Sequence, residues 1–367
     1  MSEVQKVIGL MSGTSLDGVD AALLETNGQD VAVSGPDLTV PYDKETRAKL
    51  KWALDAAREL PPDMPEPQFI RDAERELTAL HAEAVKALLT KAGLKPKDIA
   101  LIGFHGQTIL HRPDQHFTWQ IGDGALLARE TGIDVINDFR SADVKAGGQG
   151  APLMPLYHAA LARKSGRSLP LVLVNIGGVA NVTYILPGTV LAFDTGPGNA
   201  PIDDWMHRHS GKPVDTGGAF AAMGKVEFGV LGKMLANPWF DRPPPKSLDR
   251  MDFTTEPVQF LPPTDGAATL TAFVAASIAR AREHFPGEPS AWIVTGGGRH
   301  NKTLMRVLKS RVKAPVLTAE EANWDGDAME AEGFAYLAMR SKLGLPLSLP
   351  TTTGVPKPTT GGVLHKH

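Results

Sequence analysis

One aspartate in this sequence is placed as a general base would have to be. Asp194 ends an apolar predicted strand and is followed by a loop that contains Gly196, Pro197 and Gly198. Such a loop holds a carboxylate rigidly at the edge of a cleft, where a group that removes a proton from a substrate belongs. The alternative is that Asp194 serves only as a cap or turn former. The first interpretation makes Asp194 the candidate catalytic residue.

Three glycine-rich segments each follow a predicted strand and could bind a nucleotide. Gly13-Thr-Ser-Leu-Asp-Gly18 lies between two strands, and Asn175-Ile-Gly-Gly178 follows a strand in the same kind of position. Backbone N–H groups in such turns can converge on phosphate oxygens. Gly296-Gly-Gly298 precedes a helix, and its glycines would let a flat base approach the backbone. Ordinary hairpins and a tight strand–helix turn are the alternative, and neither the Walker pattern nor a strand-to-helix GxGxxG is present.

Other polar residues are candidates for binding rather than catalysis. His105 and Gln107 follow a short buried strand and could hydrogen-bond a sugar or, equally, a neighbouring loop. Glu330 stands in the first turn of the predicted last helix, where an acidic side chain commonly complements the helix dipole. The 11 histidines show no HExxH or other metal-binding spacing.

Composition restricts the class of protein and its partners. The 367 residues are enough for two domains at roughly 100–200 residues each. The net charge of −3 gives no electrostatic footprint for nucleic acid or for an anionic membrane. The absence of cysteine excludes disulfides and cysteine nucleophiles and fits a reducing cytoplasm. No signal peptide is predicted, and no apolar run approaches the ~20 residues of a transmembrane helix.

The elements that would position these residues occur twice along the chain. A strand–turn–strand–strand pattern is predicted near residues 4–40 and again near 171–194, which is a duplication of pattern rather than of sequence. The first is a meander, because its strands follow one another with no helix between them. Helices are predicted at 44–60 and 70–92, and the second half of the chain is mostly helical. The glycine-rich stretch 145–152 is placed as the crossover between two domains.

Taken together, these motifs resemble those of the anhydro-N-acetylmuramic acid kinases of bacterial cell-wall recycling. The resemblance runs from about residue 8 to the end of the chain, and the motifs follow one another in family order. The matching segments are Ile8–Asp20, His105–Thr108, Asp138–Arg140, Gly147–Pro152, Asn175–Gly178, Phe193–Asn199, Pro244–Ser247, Gly296–Gly298 with Asn301, and Glu330–Leu337.

The resemblance implies an α/β protein with the two-domain, actin-like ATPase (ribonuclease H-like) fold and a nucleotide cleft between the domains. Domain I would comprise residues 1–140 and 346–367, with the first phosphate loop and part of the sugar site. Domain II would comprise residues 141–345, with the nucleotide loops and the catalytic aspartate. The implied reaction uses ATP and Mg²⁺ to open the 1,6-anhydro ring of 1,6-anhydro-N-acetylmuramic acid and to phosphorylate O6. Its products would be N-acetylmuramic acid 6-phosphate and ADP, made by a cytoplasmic homodimer.

The resemblance also carries roles onto individual residues. Asp194 is expected to deprotonate the water that attacks the anomeric carbon. Glu330 matches a glutamate near the substrate and is expected to bind the sugar. From their place after a buried strand, His105 and Gln107 are candidates to bind the sugar as well, and Asp17 is a candidate to hold Mg²⁺ through water because it stands beside the phosphate loop. The expected ATP-binding residues are Gly13, Thr14, Ser15, Leu16, Asp17, Gly18, Val19, Asp20, Asn175, Gly177, Gly178, Gly296, Gly297, Gly298 and Asn301.

Three positions depart from the family pattern. Leu248-Asp249 stands where a Thr-Gly pair is expected, Gly333 replaces an alanine of the last helix, and Arg299-His300 occupies a variable pair. None of these positions is expected to touch Asp194 or the first glycine-rich loop. The role of the 243–250 loop is left open.

Two other classes of protein share part of this pattern. An actin-like or Hsp70-like nucleotide-switched binding protein would have the same fold and would use ATP without a sugar, but Asp194 would then have no purpose. A glycosidase would need two acidic residues that flank the scissile bond and would have no use for phosphate loops. A requirement for ATP separates the kinase from the glycosidase, and modification of a sugar separates it from the switch protein.

Overall fold

The computed structural model describes residues 3–13, 16–58, 60, 66–248 and 250–367. The chain forms two compact units. The first unit comprises Met1–Ser165 and Ala328–His367, and the second comprises Gly166–Asp327. Each unit has its own main sheet and its own hydrophobic core.

Groups of strands and groups of helices follow one another along the described chain. The strands are β1 Gln5–Met11, β2 Gly18–Thr26, β3 Val31–Pro41, β4 Leu101–Phe104, β5 Gln107–Arg112, β6 Phe117–Ile121, β7 Val135–Asn137, β8 Leu171–Ile176, β9 Val179–Leu186, β10 Thr189–Pro197, β11 Ala291–Thr295, β12 Val316–Thr318 and β13 Val363–His365. The helices are α1 Lys44–Arg58, α2 Gln68–Ala92, α3 Gly124–Thr131, α4 Ser141–Lys145, α5 Pro155–Ser165, α6 Ala200–Ser210, α7 Ala219–Ala222, α8 Phe228–Leu235, α9 Pro263–Arg280, α10 Lys302–Arg311, α11 Met329–Lys342 and α12 Pro350–Thr353. Within the described ranges, no helix has the length and apolar character needed to cross a membrane.

The main sheet of the first unit has the strand order β13-β7-β4-β1-β2-β3. β1 and β2 form an antiparallel hairpin in which Met11 pairs with Asp20, so the first glycine-rich loop closes this hairpin. β3 continues the meander beside β2, and β4 and β7 extend the sheet in parallel on the other side of β1. A separate hairpin of β5 and β6 has Gln107 at its start.

The sheet of the second unit has the strand order β10-β9-β8-β11-β12. β8, β9 and β10 form an antiparallel meander, and β11 and β12 continue the sheet in parallel. Asn175 of β8 pairs with Thr295 of β11, so the glycine-rich segments that follow these two parallel strands both begin at the carboxyl ends of the strands, side by side. β10 is an edge strand, and its pairing is irregular between Asp194 and Gly196.

The two main sheets share one strand order. In each, a three-stranded meander continues into two parallel strands, as β3-β2-β1-β4-β7 and as β10-β9-β8-β11-β12. Parallel strands need long crossover connections, and the helical segments between β3 and β4 and between β10 and β11 provide them. The repeated order confirms the predicted α/β fold of actin-like, ribonuclease H-like type. The predicted duplication is therefore present in the sheets.

Helix α11 packs directly on the first sheet because two strand residues there have no side chain. A Cβ on Gly9 of β1 would overlap the backbone of Ala331, and a Cβ on Gly103 of β4 would overlap that of Phe334. Phe334 is buried and lies beside His105, with 4.5 Å between the ring centroids. This close packing fixes the first turn of α11, which includes Glu330, relative to the ends of β1 and β4.

The second core is built around α9. This helix is apolar and rich in alanine, and it is buried from Gly266 to Ala279. Trp205 of α6 is fully buried and donates its indole N–H to Pro263 O at 2.7 Å. The sheet and its helices thus form a core that does not depend on residues of the first unit.

The observed units divide the chain at other positions than the predicted domains. Residues 141–165 and 328–345 were expected in domain II, but they belong to the first unit. Tyr157 of α5 packs beside Tyr336 of α11, with 5.7 Å between the ring centroids, and donates a hydrogen bond to Glu332. Stretch 145–152 therefore lies inside the first unit, and the chain passes between units after Ser165 and after Asp327. Glycine content marked a loop here, whereas the packing of α5 and α11 determines the boundary.

Candidate active site

Asp194 lies within β10 at the irregular point of the strand. Its backbone N–H donates to Lys246 O at 3.0 Å, and the Leu248 N–H donates to its carboxylate Oδ2 at 2.8 Å. Burial raises the pKa of Asp194 to about 7, and the Leu248 N–H opposes that rise. A carboxylate with a pKa near neutrality is well matched to proton transfer at neutral pH. The surroundings of Asp194 are thus those that a general base requires.

The segment 243–248 lies against Asp194, and the expectation that the departure at Leu248 does not touch this residue is wrong. The contact arises because β10 is an edge strand, whose outward N–H and C=O groups need partners. Lys246 O accepts the outward N–H of Asp194, and the Leu248 N–H donates instead to the side-chain carboxylate of Asp194. Asp249, the second residue of the departing pair, lies outside the described residues.

The loop after Asp194 is bonded to the turn at Gly177-Gly178. The N–H of Gly198 donates to Gly178 O at 2.8 Å, and the N–H of Asn199 donates to Gly177 O at 2.7 Å. The Asn199 side-chain amide donates to Ile176 O at 3.1 Å. A Cβ on Gly198 would overlap Gly177 O, so this approach requires glycine. Two motifs that were predicted separately therefore lie side by side.

The triple glycine at 296–298 joins the same group. Gly296 has a φ of 73°, and a Cβ there would overlap Asn175 Oδ1. A Cβ on Gly298 would overlap the side chain of Ile176. Asn301 caps α10, since its Oδ1 accepts the Leu304 N–H at 2.9 Å. Its side chain thus has a structural role, and its expected part in ATP binding stays a prediction.

A buried arginine holds the triple-glycine loop at a position that was expected to be variable. Arg299 donates to Gly296 O at 3.0 Å and forms ion pairs with Glu320 at 2.8 Å and with Asp327 at 2.7 Å. The Arg299 side chain is only 2% exposed, whereas both acids are largely exposed. The conformation of the loop therefore depends on Arg299.

The first glycine-rich loop closes the hairpin of β1 and β2. The N–H of Leu16 donates to Gly13 O at 3.1 Å, and Leu16 has a left-handed backbone with φ 55°. Gly18 begins β2 against the backbone of Val40, where a Cβ would overlap the Val40 carbonyl oxygen. Thr14 and Ser15, both predicted to bind ATP, lie outside the described residues.

The rest of the predicted phosphate loop has side chains in several environments. Asp17 is exposed and forms an ion pair with Arg47 at 3.3 Å. Val19 is buried, so its backbone is what it can offer to a ligand. Asp20 accepts a hydrogen bond from Thr39 Oγ1 at 2.6 Å across the neighbouring strands. Among these side chains, that of Asp17 is the one whose exposure suits contact with a bound ion.

In the first unit, His105 is paired with an arginine. The Nδ1–H of His105 donates to Gly106 O at 2.8 Å, and its Nε2 accepts from the Arg140 guanidinium at 3.0 Å. Burial, with the charge of Arg140, holds the pKa of His105 well below its ordinary value, so the ring is neutral. Burial also lowers the pKa of Arg140 to about 10, which leaves the guanidinium charged at neutral pH.

The other predicted sugar contacts, Gln107 and Glu330, differ in exposure. Gln107 is fully buried, and within the described part of the chain its side-chain amide has no hydrogen-bond partner at either atom. A buried amide in this state is costly, at roughly 1–3 kcal/mol. Glu330 is exposed in the first turn of α11, and its charge opposes the lowering of the Arg140 pKa. His105, Arg140 and Glu330 therefore form one polar group in the first unit.

Comparison of the sequence with models of known protein families identifies the family of this chain. The model of the family described as anhydro-N-acetylmuramic acid kinase matches residues 5–367. The chain belongs to the anhydro-N-acetylmuramic acid kinase family. Relatives of that name are 53% identical in Rhizorhabdus wittichii, over 98% of this chain and 98% of the relative, and 52% identical in Rhodospirillum rubrum, over 97% and 92%. The relative from Bradyrhizobium diazoefficiens is 52% identical over 97% of this chain and 98% of its own length.

Among solved structures, component A of (R)-2-hydroxyglutaryl-CoA dehydratase from Acidaminococcus fermentans aligns with 92% of this chain and 99% of its own. The TM-score is 0.47 and the sequence identity is 13%. Because this similarity is distant, the assignment of the fold rests on the repeated strand order of the two sheets.

Two charged residues in and beside a family motif, the half-buried Arg140 and the buried Asp143, had no role in the sequence analysis. Arg140 donates to Gly150 O at 2.7 Å in addition to its bond with His105. Asp143 accepts the Gly150 N–H at 2.6 Å and the Thr353 hydroxyl at 2.7 Å, and it also accepts from the Ser348 hydroxyl. In the sequence, the signal that could have found them was their position in and beside the motif Asp138-Phe-Arg140. In the structure, a charged side chain that is removed from water indicates a specific partner. Both residues hold the loop at Gly150 in place.

A protein-only metal centre has no support in the described ranges, where no three or more His, Cys, Asp or Glu side chains are arranged to hold a metal ion. Mg²⁺ is commonly bound by one or two carboxylates together with water and substrate phosphates. The exposed carboxylate of Asp17 fits that mode of binding, provided that it exchanges its contact with Arg47.

Proposed function

We propose that this chain is an ATP-dependent kinase that hydrolytically opens the 1,6-anhydro ring of 1,6-anhydro-N-acetylmuramic acid and phosphorylates O6. The products are N-acetylmuramic acid 6-phosphate and ADP, and the reaction serves the recycling of murein. The observation that carries the proposal is Asp194, whose carboxylate has a pKa of about 7 and whose following loop is hydrogen-bonded to the glycine-rich turn at Gly177-Gly178. Membership of a family named for this kinase supports it.

Asp194 acts as the general base toward a water molecule. The water oxygen attacks the anomeric carbon while Asp194 accepts one of its protons, and the bond from that carbon to the bridging O6 breaks. The freed O6 then attacks the γ-phosphorus of ATP, whose bond to the β–γ bridging oxygen breaks to release ADP. Asp194 finally loses its proton to solvent, so the sugar has gained one water and one phosphoryl group. The Leu248 N–H keeps the carboxylate oriented throughout.

The glycine-rich turns are assigned to ATP. Backbone N–H groups of the loop from Gly13 to Asp20 and of the turn at Asn175, Gly177 and Gly178 are placed to bind phosphate oxygens. The triple glycine at 296–298, with Asn301, is assigned to the nucleoside part. Mg²⁺, when bound, would neutralise negative charge on the phosphates, and Asp17 is the residue that would hold it through water.

The polar group of the first unit is assigned to the sugar. Arg140 is a half-buried cation, and the proposed substrate is an acid whose carboxylate such a cation attracts. Glu330 can accept hydrogen bonds from sugar hydroxyls, and the neutral His105 orients Arg140. Gln107 has an amide without partners among the described residues, and a movement of this segment would make that amide available to the substrate.

A cytoplasmic homodimer is part of the same proposal. The cysteine-free composition suits a reducing compartment, and the resemblance to the family supports the dimer. An actin-like or Hsp70-like switch protein is less favoured, because it would leave the raised pKa of Asp194 without a use.

Incubation of the purified protein with MgATP and 1,6-anhydro-N-acetylmuramic acid in ¹⁸O-labelled water tests the proposal. Mass spectrometry of the sugar should show one added water and one added phosphoryl group, with the label on the anomeric oxygen and not on the phosphate. Release of ADP from an unmodified sugar would favour the switch protein. Opening of the ring without ATP would favour a glycosidase. Either of the last two outcomes contradicts the kinase.

A further inference from the structure

A short segment of the second unit holds Asp194 at both its backbone and its side chain. Lys246 O accepts the Asp194 N–H at 3.0 Å, and two residues later the Leu248 N–H donates to the carboxylate at 2.8 Å. The segment covers the free edge of β10, where no further strand of the sheet in the described residues follows. The position of the carboxylate therefore depends on what fixes residues 246–248.

The side chain of Lys246 attaches this segment to the core of the second unit, against which Leu248 also packs. Its Nζ donates to Phe240 O at 2.9 Å and lies 4.5 Å from the ring centroid of Trp239 and 5.9 Å from that of Phe193. Trp239 and Phe240 form a buried 3₁₀ turn, and Phe240 packs edge-on against Phe273 of α9. A cation over aromatic faces is stabilised by their quadrupoles, and more so when it is partly desolvated.

We propose that Lys246 is a positioning residue for the general base, which holds the Asp194 carboxylate through its own carbonyl and the Leu248 N–H while its ammonium group anchors the segment on Trp239 and Phe240. This proposal rests on the proposed function, because it assumes that Asp194 is the base. It assigns to the 243–248 segment a role that the sequence left open.

The charged groups around Lys246 come from several elements. Arg280 of α9 and Arg242 are cations, whereas Asp241 and Glu283 are acids. His284, in the turn after α9, also lies beside Lys246, and burial followed by the charge of Lys246 lowers the pKa of that histidine. Burial, followed by Arg280, lowers the pKa of Lys246 to about 8, so the side chain is mostly a cation at neutral pH.

The anchoring has a consequence for the base that a purely structural role would not have. The Leu248 N–H lowers the pKa of Asp194 and so opposes the effect of burial. If the segment is released, this hydrogen bond weakens and the pKa of Asp194 rises. Loss of Lys246 should therefore move the acidic limb of the pH–rate profile to higher pH, in addition to lowering the rate at neutral pH.

The test compares Lys246→Met, which keeps the stem and removes the charge, with Lys246→Arg, which keeps a cation over the rings. Lys233→Met, at an exposed position of α8, is the matched control. The dependence of kcat/KM for the sugar on pH is measured for each variant, together with KM for ATP. We expect K246M to lose about tenfold or more at pH 7 and to shift its acidic limb upward by about half a pH unit or more. K246R should keep most of the wild-type kcat/KM for the sugar, and the acidic limb of its pH–rate profile should lie at the wild-type pH. KM for ATP should change in neither variant.

Two results would overturn the assignment while wild-type protein turns over normally. One is a kcat/KM of K246M for the sugar that stays within about twofold of wild type, with the acidic limb of the pH–rate profile unchanged. The other is an equal loss in K246M and K246R with the limb unmoved, which is what general destabilisation would produce. If K246M does not fold, Lys246→Gln replaces it in the same comparison. Wild-type protein without any turnover would overturn the proposed function, and this assignment with it.

Discussion

At Asp194, two opposing influences act on one carboxylate. Burial favours the neutral form, and the Leu248 N–H favours the charged form, which together give a pKa of about 7. A fully exposed aspartate would be ionised at neutral pH but would be a poor acceptor of a proton. The intermediate environment lets Asp194 accept a proton and release it again within one turnover.

Replacement of Asp194 by asparagine keeps the shape of the side chain and removes the base. We expect kcat to fall by about 10²–10⁴-fold, because that is the usual contribution of general base catalysis. Binding of ATP should be retained, since the glycine-rich turns are unchanged. Release of ADP and calorimetric titration with ATP measure the two quantities. Asp204→Asn, at an exposed ion pair with Arg250, is the control and should remain active, whereas an active D194N would rule out the base.

The same variant should change stability in a pH-dependent way. The pKa of Asp194 is raised from 3.8 to about 7 on folding, so its contribution to stability is present below pH 3.8 and is lost as the pH rises toward 7. D194N does not titrate, and it should therefore gain stability over wild type between these values. We expect the difference in unfolding free energy to be larger at pH 8 than at pH 5, by on the order of 2–3 kcal/mol. Urea unfolding at both pH values measures it, and an equal difference at both would contradict the raised pKa.

Arg140 is the half-buried cation in the polar group of the first unit, and its loss should affect binding of the sugar and not of the nucleotide. We expect Arg140→Gln to raise KM for the sugar by about tenfold or more, since a charged hydrogen bond contributes roughly 1.5–3 kcal/mol. KM for ATP should stay within about twofold. Arg129→Gln, at the exposed end of α3, is the control. Steady-state kinetics that show a rise in KM for ATP alone would contradict the assignment.

At the scale of elements, the glycine-rich turns after the strands of the two meanders and after β11 could be predicted, but the contacts that hold these turns could not. The meanders and glycine-rich segments are local signals, because turn residues and strand residues alternate within a few positions. The contact of Leu248 with Asp194 joins segments that are 54 residues apart, and the contact of Arg140 with Gly150 joins two residues that lie outside regular secondary structure. Their formation depends on which strand is at the edge of a sheet, which a single sequence does not state.

Gly333, which stands where the family pattern has an alanine, is explained by a contact with a residue that is distant in the sequence. A Cβ at this position of α11 would overlap Met154 Sδ, so the absence of a side chain accommodates the methionine. The alanine that the family pattern led us to expect would require Met154 to move. The sequence shows the substitution, and the partner becomes visible only in the packed helices.

The triple-glycine loop is an element whose conformation rests on one side chain. Replacement of Arg299 by methionine removes the hydrogen bond to Gly296 O and both ion pairs but keeps an apolar stem. Because Glu320 and Asp327 are largely exposed, little stability should be lost, and the main effect should be a looser loop. We expect KM for ATP to rise about threefold to tenfold, with KM for the sugar unchanged. Steady-state kinetics test this against Arg306→Met, an exposed position on α10, and an unchanged KM for ATP would contradict the role of Arg299.

At the scale of the whole molecule, the chain order does not follow the order of the units. The last 40 residues, from Ala328 to His367, belong to the first unit, so α11 packs on strands formed by the start of the chain. The predicted return at residue 346 was too late, because the sequence marks α11 only as an amphipathic helix and not by the sheet on which it lies. The two glycines that admit it, Gly9 and Gly103, belong to different strands and give no joint signal in the sequence.

This allocation of residues to units leads to a prediction about ligands. The proposed sugar contacts all belong to the first unit, and the base and two of the three nucleotide loops belong to the second. Each ligand alone should therefore slow amide hydrogen exchange in a different set of segments, because binding reduces local opening where the contacts form. The sugar should protect residues around 105–107 and 140–150.

A non-hydrolysable ATP analogue with Mg²⁺ should instead protect residues around 175–178 and 296–301. Exchange detected by mass spectrometry of peptides resolves these segments, and β12, which bears none of the proposed contacts, is the internal reference. Protection of 175–178 by the sugar alone, with no change around 105–107, would contradict the assignment of the polar group in the first unit. Protection of both sets by either ligand alone would instead mean that the two units respond together, so that occupation of one unit stabilises the other.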